Sequence, residues 1–235
     1  MPLTLHHMGV SQSERIVWLA EELGLDYELV HHKRDPLLSP QSIKDLHPAG
    51  TAPVIVDDPS PVTHSRVVLA ESCAIVDYII AVYGQGHLVL TPQDGAAYPH
   101  YLEWYHFANG TLQPAIMRLF IASNANPDPS SPIVAMTAQK QDHALSMVEN
   151  RLAQTGAYLA GDALTAADIM TVFSLTTMRG FVPMEFDQTK HAHILAYLKR
   201  VCERPAYKQA MELCEGKDFV PMVGPKVEPF TLGGA

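Results

Sequence analysis

A change of pattern near residue 84 constrains the fold of this chain more than any other feature. Before it, short segments with alternating apolar side chains take turns with segments whose apolar residues recur every three or four positions. After residue 99 only the second pattern continues. Alternation with a period of two is typical of strands, and a spacing of three to four is typical of helices. The change predicts a small mixed α/β domain followed by an all-helical domain.

The first region predicts the element order β-α-β-α-β-β-α. Strands are expected at residues 3–7, 27–32, 53–56 and 66–69, and helices at residues 16–23, 40–46 and 72–83. Gly24 follows the first helix at the position where a glycine commonly ends a helix in the left-handed conformation. The first domain is predicted to span residues 1–84.

Glycines and prolines in residues 85–99 predict a linker. Beyond it, helices are expected at residues 102–119, 133–152, 165–178, 194–202 and 206–214, with a loop at 124–132. The helical domain is predicted to span residues 100–222, and a tail rich in Gly and Pro, residues 223–235, is expected at the surface.

The clearest helix start in the sequence is the segment Thr165-Ala-Ala-Asp168. In such a capping box the Thr165 hydroxyl accepts a hydrogen bond from the backbone N–H of Asp168. The Asp168 carboxylate in turn accepts one from the backbone N–H of Thr165. A cap of this kind contributes roughly 0.5–2 kcal/mol to stability. Asp168 is therefore predicted to be a folding residue and not a catalytic one.

Composition narrows the class of protein. The chain carries 16 Lys and Arg against 25 Asp and Glu, a net charge of −9, and it has no basic run. Nucleic-acid binders rely on clustered positive charge, so no nucleic-acid partner is expected.

With 47% hydrophobic residues the chain can bury a core rather than stay disordered. No apolar run approaches the roughly 18 residues of a membrane span, so no membrane partner is expected.

The cysteines and the N-terminal segment bear on location. The three cysteines lack CxxC spacing, which favours neither a disulfide framework nor a zinc cage. Free thiols fit a reducing compartment, and the opening MPLTLHHMG lacks the basic-then-apolar order of a signal peptide. A soluble, cytoplasmic protein is expected.

Three short segments in the first region lie where a strand or a helix begins or ends. They are SQSER at residues 11–15, HPAGTAP at 47–53 and LAES at 69–72. Each has a purely structural explanation. Ser11, Ser13 or Ser72 can cap a helix, and Pro53 can start a strand. No single segment indicates a function. The occurrence of all three in this order, on a β-α-β-α-β-β-α pattern, is far more specific than any one of them.

These segments are similar to motifs of the glutathione S-transferase family. SQSER resembles the Ser-x-x-x-Arg segment of its serine-type classes, HPAGTAPV its Pro-x-Gly-x-x-Pro segment, LAESCAI its Glu-Ser pair and GDALTAADI its capping box. The resemblance runs from about residue 3 to about residue 214, and the opening of the chain most resembles the fungal GTT-type and related bacterial members. It implies a thioredoxin-like N-terminal domain that holds glutathione, followed by an all-α C-terminal domain.

The resemblance also implies an activity. Glutathione would be the co-substrate, and its thiol would attack an electrophilic carbon, the chemistry of detoxification, or reduce a hydroperoxide. The expected acceptor is a small hydrophobic electrophile, and the expected assembly is a homodimer. An alternative from another class stays open, because the same fold also serves as a non-catalytic binding or regulatory module in GST-like parts of translation factors and of a yeast nitrogen regulator.

By this resemblance Ser11 is the catalytic residue, with Ser13 as the alternative. A free thiol has a pKa near 8.5, so little thiolate exists at pH 7. Lowering that pKa by about 2 units takes roughly 2.7 kcal/mol of preferential stabilisation of the anion. A hydroxyl that donates to the thiolate supplies roughly 1.5–3 kcal/mol, and the positive end of the first helix adds roughly 0.3–1 kcal/mol.

The remaining glutathione contacts are implied in the same way. Ala52–Pro53 is expected to be a cis peptide, with the Ala52 backbone pairing with the cysteinyl part as an added strand would. Ser72 and the N–H groups at its helix start suit the γ-glutamyl carboxylate, and Glu71 suits the ammonium. The candidate donors to the glycyl carboxylate are Lys44 and His47.

In the family, the first helix of the C-terminal domain borders the pocket for the electrophile. The candidate pocket residues are Met8, Tyr101, Tyr105, Asn109 and Met117. The aromatic ones share a helical face, which equally suits a core or a dimer contact.

Two further features are interpreted as structural. The adjacent pairs His6–His7 and His31–His32 fall on predicted strands, where neighbouring side chains point to opposite faces, so neither pair can chelate one metal. No metal site is expected. Cys73 is expected to be packed and inert, because the family's cysteine-type members carry their cysteine at the position of Ser11.

Overall fold

The computed structural model describes residues 3–35, 38–126 and 128–230. Within them the chain forms two compact units. One contains the residues up to Val89 together with Cys202–Val220, and the other contains Leu90–Val201 with Pro221–Phe230. The sheet belongs to the first unit, and the described residues of the second hold helices and turns but no strand. The predicted sequence of an α/β domain and then a helical one is confirmed.

Four strands of the first unit form one mixed sheet. They are β1 (Leu3–Met8), β2 (Glu28–His32), β3 (Val54–Asp57) and β4 (Val67–Ala70), in the spatial order β2-β1-β3-β4. β1 and β2 run parallel, whereas β3 is antiparallel to both β1 and β4. The helices between them are α1 (Glu14–Leu23), α2 (Gln41–Lys44) and α3 (Ser72–Tyr83). This is the expected thioredoxin-like arrangement.

The apolar pattern of the sequence explains which sides of these elements are buried. Leu3 and Leu5 alternate along β1 with partly exposed residues, as one face of a strand does. Ile75 and Ile79, four residues apart on α3, have no exposed surface. Each such side chain contributes about 1.5–3 kcal/mol of burial. Gly24 ends α1 with φ at 61°, in the left-handed region, which confirms the predicted helix end.

Over its described residues, 90–126, 128–201 and 221–230, the second unit contains five α-helices. They are α4 (Ala97–Phe107), α5 (Gln113–Ala125), α6 (Pro132–Thr155), α7 (Ala166–Leu175) and most of α8 (Ala192–Cys202). A π-helical turn at Ala108–Leu112 joins α4 to α5, so the single long helix predicted there continues with one wide turn inside it. The predicted linker, residues 85–99, holds a 3₁₀ turn at Pro92–Asp94 and the start of α4.

The last helix, α9 (Pro205–Glu215), belongs to the first unit. It packs along α1, where the rings of Trp18 and Tyr207 meet edge to face with centroids 5.1 Å apart. Nearby, the Arg204 guanidinium donates two hydrogen bonds of 2.6 Å to the Glu22 carboxylate. This helix falls within the predicted helical domain, residues 100–222, because an amphipathic pattern identifies an apolar face of a helix but not the surface that covers it.

The capping box at the start of α7 is confirmed. The backbone N–H of Thr165 donates to Asp168 Oδ2 at 2.9 Å, and its hydroxyl lies 3.2 Å from the same oxygen. The other oxygen, Oδ1, accepts from the Leu159 N–H and the Tyr197 hydroxyl, both at 3.0 Å. Complete burial raises the pKa of Asp168 to about 6, although these hydrogen bonds act in the opposite direction. As predicted from the sequence, Asp168 lies in the helical unit as part of the fold.

The C-terminal segment Pro221–Phe230 is part of the second unit. The buried Arg179 guanidinium donates to the carbonyl oxygens of Met222, Gly224 and Pro225 at 3.3, 2.9 and 2.8 Å. Burial lowers the pKa of Arg179 to about 10. The predicted surface tail therefore has an anchored part, and its residues 231–235 lie outside the described residues.

Candidate active site

The strand directions bring the three motif segments to one edge of the sheet. His6 of β1 lies opposite Val54 of β3, and Val54 lies opposite Ala70 of β4. Because β3 is antiparallel to both neighbours, the ends of β1 and β4 and the start of β3 share this edge. The residues that follow β1, precede β3 and follow β4 are those of the segments at 11–15, 47–53 and 69–72.

The two candidate serines lie one behind the other in the turn between β1 and α1. Ser11 is 8% exposed and Ser13 is 1% exposed. Their Oγ atoms are 2.7 Å apart, and the Ser11 hydroxyl donates to the Met8 carbonyl oxygen at 2.6 Å. Ser13 Oγ in turn accepts from the Met8 N–H at 3.1 Å. Ser11 is therefore the outer hydroxyl and Ser13 the inner one, at the positive end of a ten-residue helix.

Behind Ser13 lies His7, a fully buried side chain of β1. Its Nδ1 is 2.8 Å from Ser13 Oγ, and its Nε2 is 3.6 Å from Oε1 of Glu215, the last residue of α9. The same Oε1 accepts the Val10 N–H at 2.7 Å. Neither His7 nor Glu215 was predicted to be a site residue. His7 is notable in the sequence only as one of two adjacent histidines, and nothing in the sequence connects Glu215 with a turn 205 residues away.

A cation also holds the turn that carries the serines. Arg34, just after β2, donates to the Gly9 carbonyl oxygen at 3.1 Å and to the Val10 carbonyl oxygen at 2.7 Å. Burial lowers the pKa of Arg34, and the charge of Glu215 counteracts that change. Val10 has φ at 53°, which is unusual for a β-branched residue. Strained backbone of this kind is concentrated at functional sites, where neighbouring contacts maintain it.

The segment before β3 contains the predicted cis peptide, Ala52–Pro53, which the structure confirms. Pro53 is buried and Ala52 is half-buried at the start of the strand. Lys44 is exposed in α2, and His47 is half-buried with its Nδ1 accepting the Ala49 N–H at 3.2 Å. Both candidate donors to the glycyl carboxylate thus lie in the segment that leads into this edge.

After β4, the chain turns sharply into α3. Glu71 is exposed with φ at 72°, in the left-handed region, and Ser72 is the buried first residue of the twelve-residue helix. The N-terminus of such a helix presents free N–H groups and partial positive charge to an anion. The helix start can therefore accept a carboxylate, and the acidic side chain of Glu71 beside it can accept a cation.

The five candidate pocket residues are divided between the units. Met8 is buried at the end of β1 in the first unit, and the other four belong to the second. Tyr101 and Tyr105 are buried in α4 with their rings stacked at 5.8 Å. Asn109 lies in the π turn, and Met117 is half-buried in α5.

The four strand histidines pair across β1 and β2 and not along either strand. His6 Nδ1 lies 2.9 Å from His32 Nε2, and the rings of His7 and His31 meet edge to face at 5.4 Å. The pKa of His6 is lowered to about 4, mainly by burial and secondly by the charge of His32. Across residues 3–35, 38–126 and 128–230, no group of three or more His, Cys, Asp or Glu is placed to hold a metal ion.

All three cysteines are free thiols. Burial raises the pKa of Cys202 to about 12 and raises that of Cys214 as well, so both are poor nucleophiles. Cys73 is half-buried in the first turn of α3. In the described part of the chain, no helix has the length and apolar character needed to cross a membrane.

The mixed sheet, with a hydroxyl at the start of its first helix, a cis-proline before β3 and a buried serine at the helix start after β4, places the first unit in the class of thioredoxin-fold proteins. Comparison with known families gives the same result. The family described as "Glutathione S-transferase, N-terminal domain" matches residues 11–82, and "Glutathione S-transferase, C-terminal domain" matches residues 112–205. Together they cover more than half of the chain, which belongs to the glutathione S-transferase family of enzymes.

Fungal relatives match along nearly the whole chain. Glutathione S-transferase 3 of Schizosaccharomyces pombe is 29% identical, over 91% of this chain and 88% of its own length. Glutathione S-transferase 1 of Saccharomyces cerevisiae is 28% identical, over 89% of this chain and 94% of its own length.

Solved structures share the fold. A glutathione S-transferase from Actinobacillus pleuropneumoniae superposes with a TM-score of 0.78 at 27% identity, covering 94% of this chain and 98% of that one. A glutathione transferase from Phanerochaete chrysosporium, solved with oxidized glutathione, has a TM-score of 0.69 at 21% identity and covers 90% and 94% of the two chains. At that identity the second match supports the fold alone.

Proposed function

We propose that this protein binds glutathione at the edge of the sheet and uses Ser11 to stabilise the thiolate for attack on a small hydrophobic electrophile. The observation that carries the proposal is the position of the Ser11 hydroxyl. It is the outer of two serines at the start of α1, on the edge that also holds Ala52–Pro53 and Ser72. A reacting sulfur there would meet a hydroxyl donor and a helix N-terminus together.

The energetics of this arrangement match the task. At pH 7 Ser11 cannot serve as a base, but it can turn its proton from the Met8 carbonyl oxygen to the sulfur. A hydrogen bond to a charged group is worth about 1.5–3 kcal/mol. The helix end adds about 0.3–1 kcal/mol. Their sum is comparable to the roughly 2.7 kcal/mol that lowers a thiol pKa by about 2 units.

The rest of glutathione follows the backbone. The N–H and C=O of Ala52 would pair with the cysteinyl residue as an added strand. The start of α3 at Ser72 would take the γ-glutamyl carboxylate, with Glu71 facing the ammonium. Lys44 and His47 are the proposed donors to the glycyl carboxylate.

The acceptor side of the reaction completes the proposal. The proposed contacts of the electrophile are Met8, Tyr101, Tyr105, Asn109 and Met117. Peroxide reduction by the same thiolate, a homodimeric assembly and operation without a metal are part of the proposal. A cytoplasmic location is included because three free cysteines fit a reducing compartment.

The test compares Ser11→Ala with Ser13→Ala in a conjugation assay with a generic aryl halide, alongside glutathione calorimetry. Ser11→Ala should lower kcat/KM by about 10- to 100-fold, because one charged hydrogen bond is lost. The thiol pKa of bound glutathione should rise, while its Kd stays within about threefold. The matched control is Ser65→Ala, an exposed serine whose side chain bonds only within its own loop.

Full activity in Ser11→Ala together with loss in Ser13→Ala would assign the role to Ser13. Wild-type protein that binds glutathione but turns over no member of a broad electrophile panel would instead be a non-catalytic binding module.

A further inference from the structure

We propose that His7 is a positioning residue, which donates from Nδ1 to Ser13 and thereby leaves the Ser11 proton free for sulfur. The inference rests on the proposed function, because it concerns the same hydroxyl. His7 touches neither Ser11 nor the place of the sulfur directly. Its contacts on the described residues are Ser13 Oγ at 2.8 Å, the His31 ring at 5.4 Å and Glu215 Oε1 at 3.6 Å.

The directions of the hydrogen bonds follow from the acceptor at one end of the network. A carbonyl oxygen cannot donate, so the 2.6 Å contact between Ser11 Oγ and the Met8 carbonyl oxygen uses the Ser11 proton. The Ser13 hydroxyl then has two acceptors within reach, Ser11 Oγ at 2.7 Å and the Met8 carbonyl oxygen at 3.3 Å, and its proton is assigned to the shorter contact. With both hydroxyl protons assigned, only a proton on Nδ1 can fill the 2.8 Å contact between His7 and Ser13.

This assignment satisfies the bonding capacity of both serines. Ser13 Oγ accepts from His7 Nδ1 and from the Met8 N–H, and it donates to Ser11. Ser11 Oγ accepts from the Ser13 hydroxyl and from the Ser13 N–H at 3.3 Å, and it donates once. Two acceptor sites and one donor are the full capacity of a hydroxyl. When a thiolate arrives, only the Ser11 O–H bond has to turn.

The opposite tautomer would cost the network a hydrogen bond. If Nδ1 carried no proton, the Ser13 hydroxyl would donate to it, and the contact between the serines would need the Ser11 proton. Turning that proton to the sulfur would then leave the two hydroxyl oxygens 2.7 Å apart with no proton between them. The Nδ1 proton of His7 therefore lowers the cost of giving the Ser11 proton to the thiolate.

Glu215 leaves the tautomer of His7 to the contact at Nδ1. The Glu215 carboxylate accepts the Val10 N–H at 2.7 Å, and its Oε1 lies 3.6 Å from His7 Nε2, beyond hydrogen-bond distance. The 2.8 Å contact between Nδ1 and Ser13 Oγ therefore fixes the position of the ring proton.

One experiment measures the tautomer directly in the wild-type protein without glutathione. Nitrogen-15 NMR of the His7 ring, assigned by comparison with His7→Asn, should show a proton on Nδ1. A ring protonated on Nε2 alone would overturn the proposal, whatever the activity of the variants.

A second experiment measures the consequence in the variants His7→Leu and His7→Asn. Leu removes the donor, whereas the Asn amide can place an N–H near the position of Nδ1. In His7→Leu the thiol pKa of bound glutathione, followed by its ultraviolet thiolate absorbance, should rise by about one unit, and kcat should fall about tenfold. Glutathione Kd should change less than about threefold, and His7→Asn should recover most of both losses.

The matched control is His6→Leu, the same change on the neighbouring strand residue, which pairs with His32 and not with the serines. It should leave the thiol pKa at the wild-type value. An unchanged thiol pKa in folded, glutathione-binding His7→Leu would overturn the proposal. A loss that His7→Asn does not recover would also overturn it.

If His7→Leu does not fold, the proposal is tested by His7→Asn and by the tautomer measurement. Wild-type protein that binds no glutathione in calorimetry would overturn the proposed function, and with it this role, even where Nδ1 carries its proton.

Discussion

Two buried polar networks of this protein differ in how far along the chain they reach. Asp168 at the start of α7 collects donors from Leu159, Thr165 and Tyr197, all within 29 positions. The network behind Ser11 ends at Glu215, which lies 205 positions from its partner Val10. The first can be recognised from a four-residue motif, and the second cannot.

The networks also differ in what their protons can do. Asp168 is a buried acceptor that receives hydrogen bonds from Leu159, Thr165 and Tyr197, so it holds one geometry and stabilises the helical unit. The serine network contains hydroxyls, each of which can turn its single proton without moving its oxygen. A fully enclosed acceptor suits folding, whereas a chain with one rotatable proton suits chemistry.

The largest expected effect concerns the stability of the Asp168 network. Asp168→Ala removes the acceptor of two buried backbone N–H groups, which costs about 1–3 kcal/mol for each, and it also removes the hydrogen bond from the Tyr197 hydroxyl. We expect the free energy of unfolding to fall by about 3 kcal/mol or more, and by less than about 1 kcal/mol in Ser11→Ala. Urea denaturation of both variants measures the contrast. Equal losses would remove the distinction between a folding network and a chemical one.

The next effect is a pH dependence. The pKa of Asp168 is about 6 in the folded protein, and it is about 3.9 in an unfolded chain. Between these values the folded state binds more protons, so the free energy of unfolding falls as pH rises through this window and levels off above it. The difference of about 2 units corresponds to about 3 kcal/mol.

Urea denaturation of wild type and Asp168→Asn at pH 4, 5, 6 and 7 measures the contribution of Asp168 ionisation to the free energy of unfolding. The contributions of other titrating groups cancel when the two proteins are subtracted. A difference that does not change with pH would mean that the hydrogen bonds to the carboxylate offset its burial completely.

The smallest expected effect separates the two roles of Glu215. Glu215→Gln keeps an oxygen for the Val10 N–H, whereas Glu215→Ala leaves that half-buried donor unpaired. We expect Ala to lower the free energy of unfolding by about 1–2 kcal/mol and Gln by less than half of that. Thermal and urea unfolding of the pair make the measurement. Equal losses would assign the stabilisation to the charge of Glu215 beside Arg34 and His7 and not to the hydrogen bond.

Much of the fold could be predicted because it depends on neighbouring residues. Strand alternation, the glycine after α1 and the capping box of α7 are all local signals, and the four strands, α1, α3 and α7 lie within three residues of their predicted bounds. The prediction was weakest where packing decides. Nothing in the pattern of α9 reveals that Trp18 is covered by Tyr207, or that this helix joins the first unit.

The sequence by itself determined the order of elements, the cis-proline segment and the two serines beside a helix start, because each depends on side chains a few positions apart. Only the tertiary structure decided which serine is outer, and that His7 and Glu215 stand behind them. Those relations depend on strand register and on where α9 packs, and the free energy that sets them is spread over contacts between residues distant along the chain. A pattern of neighbouring residues does not predict such contacts.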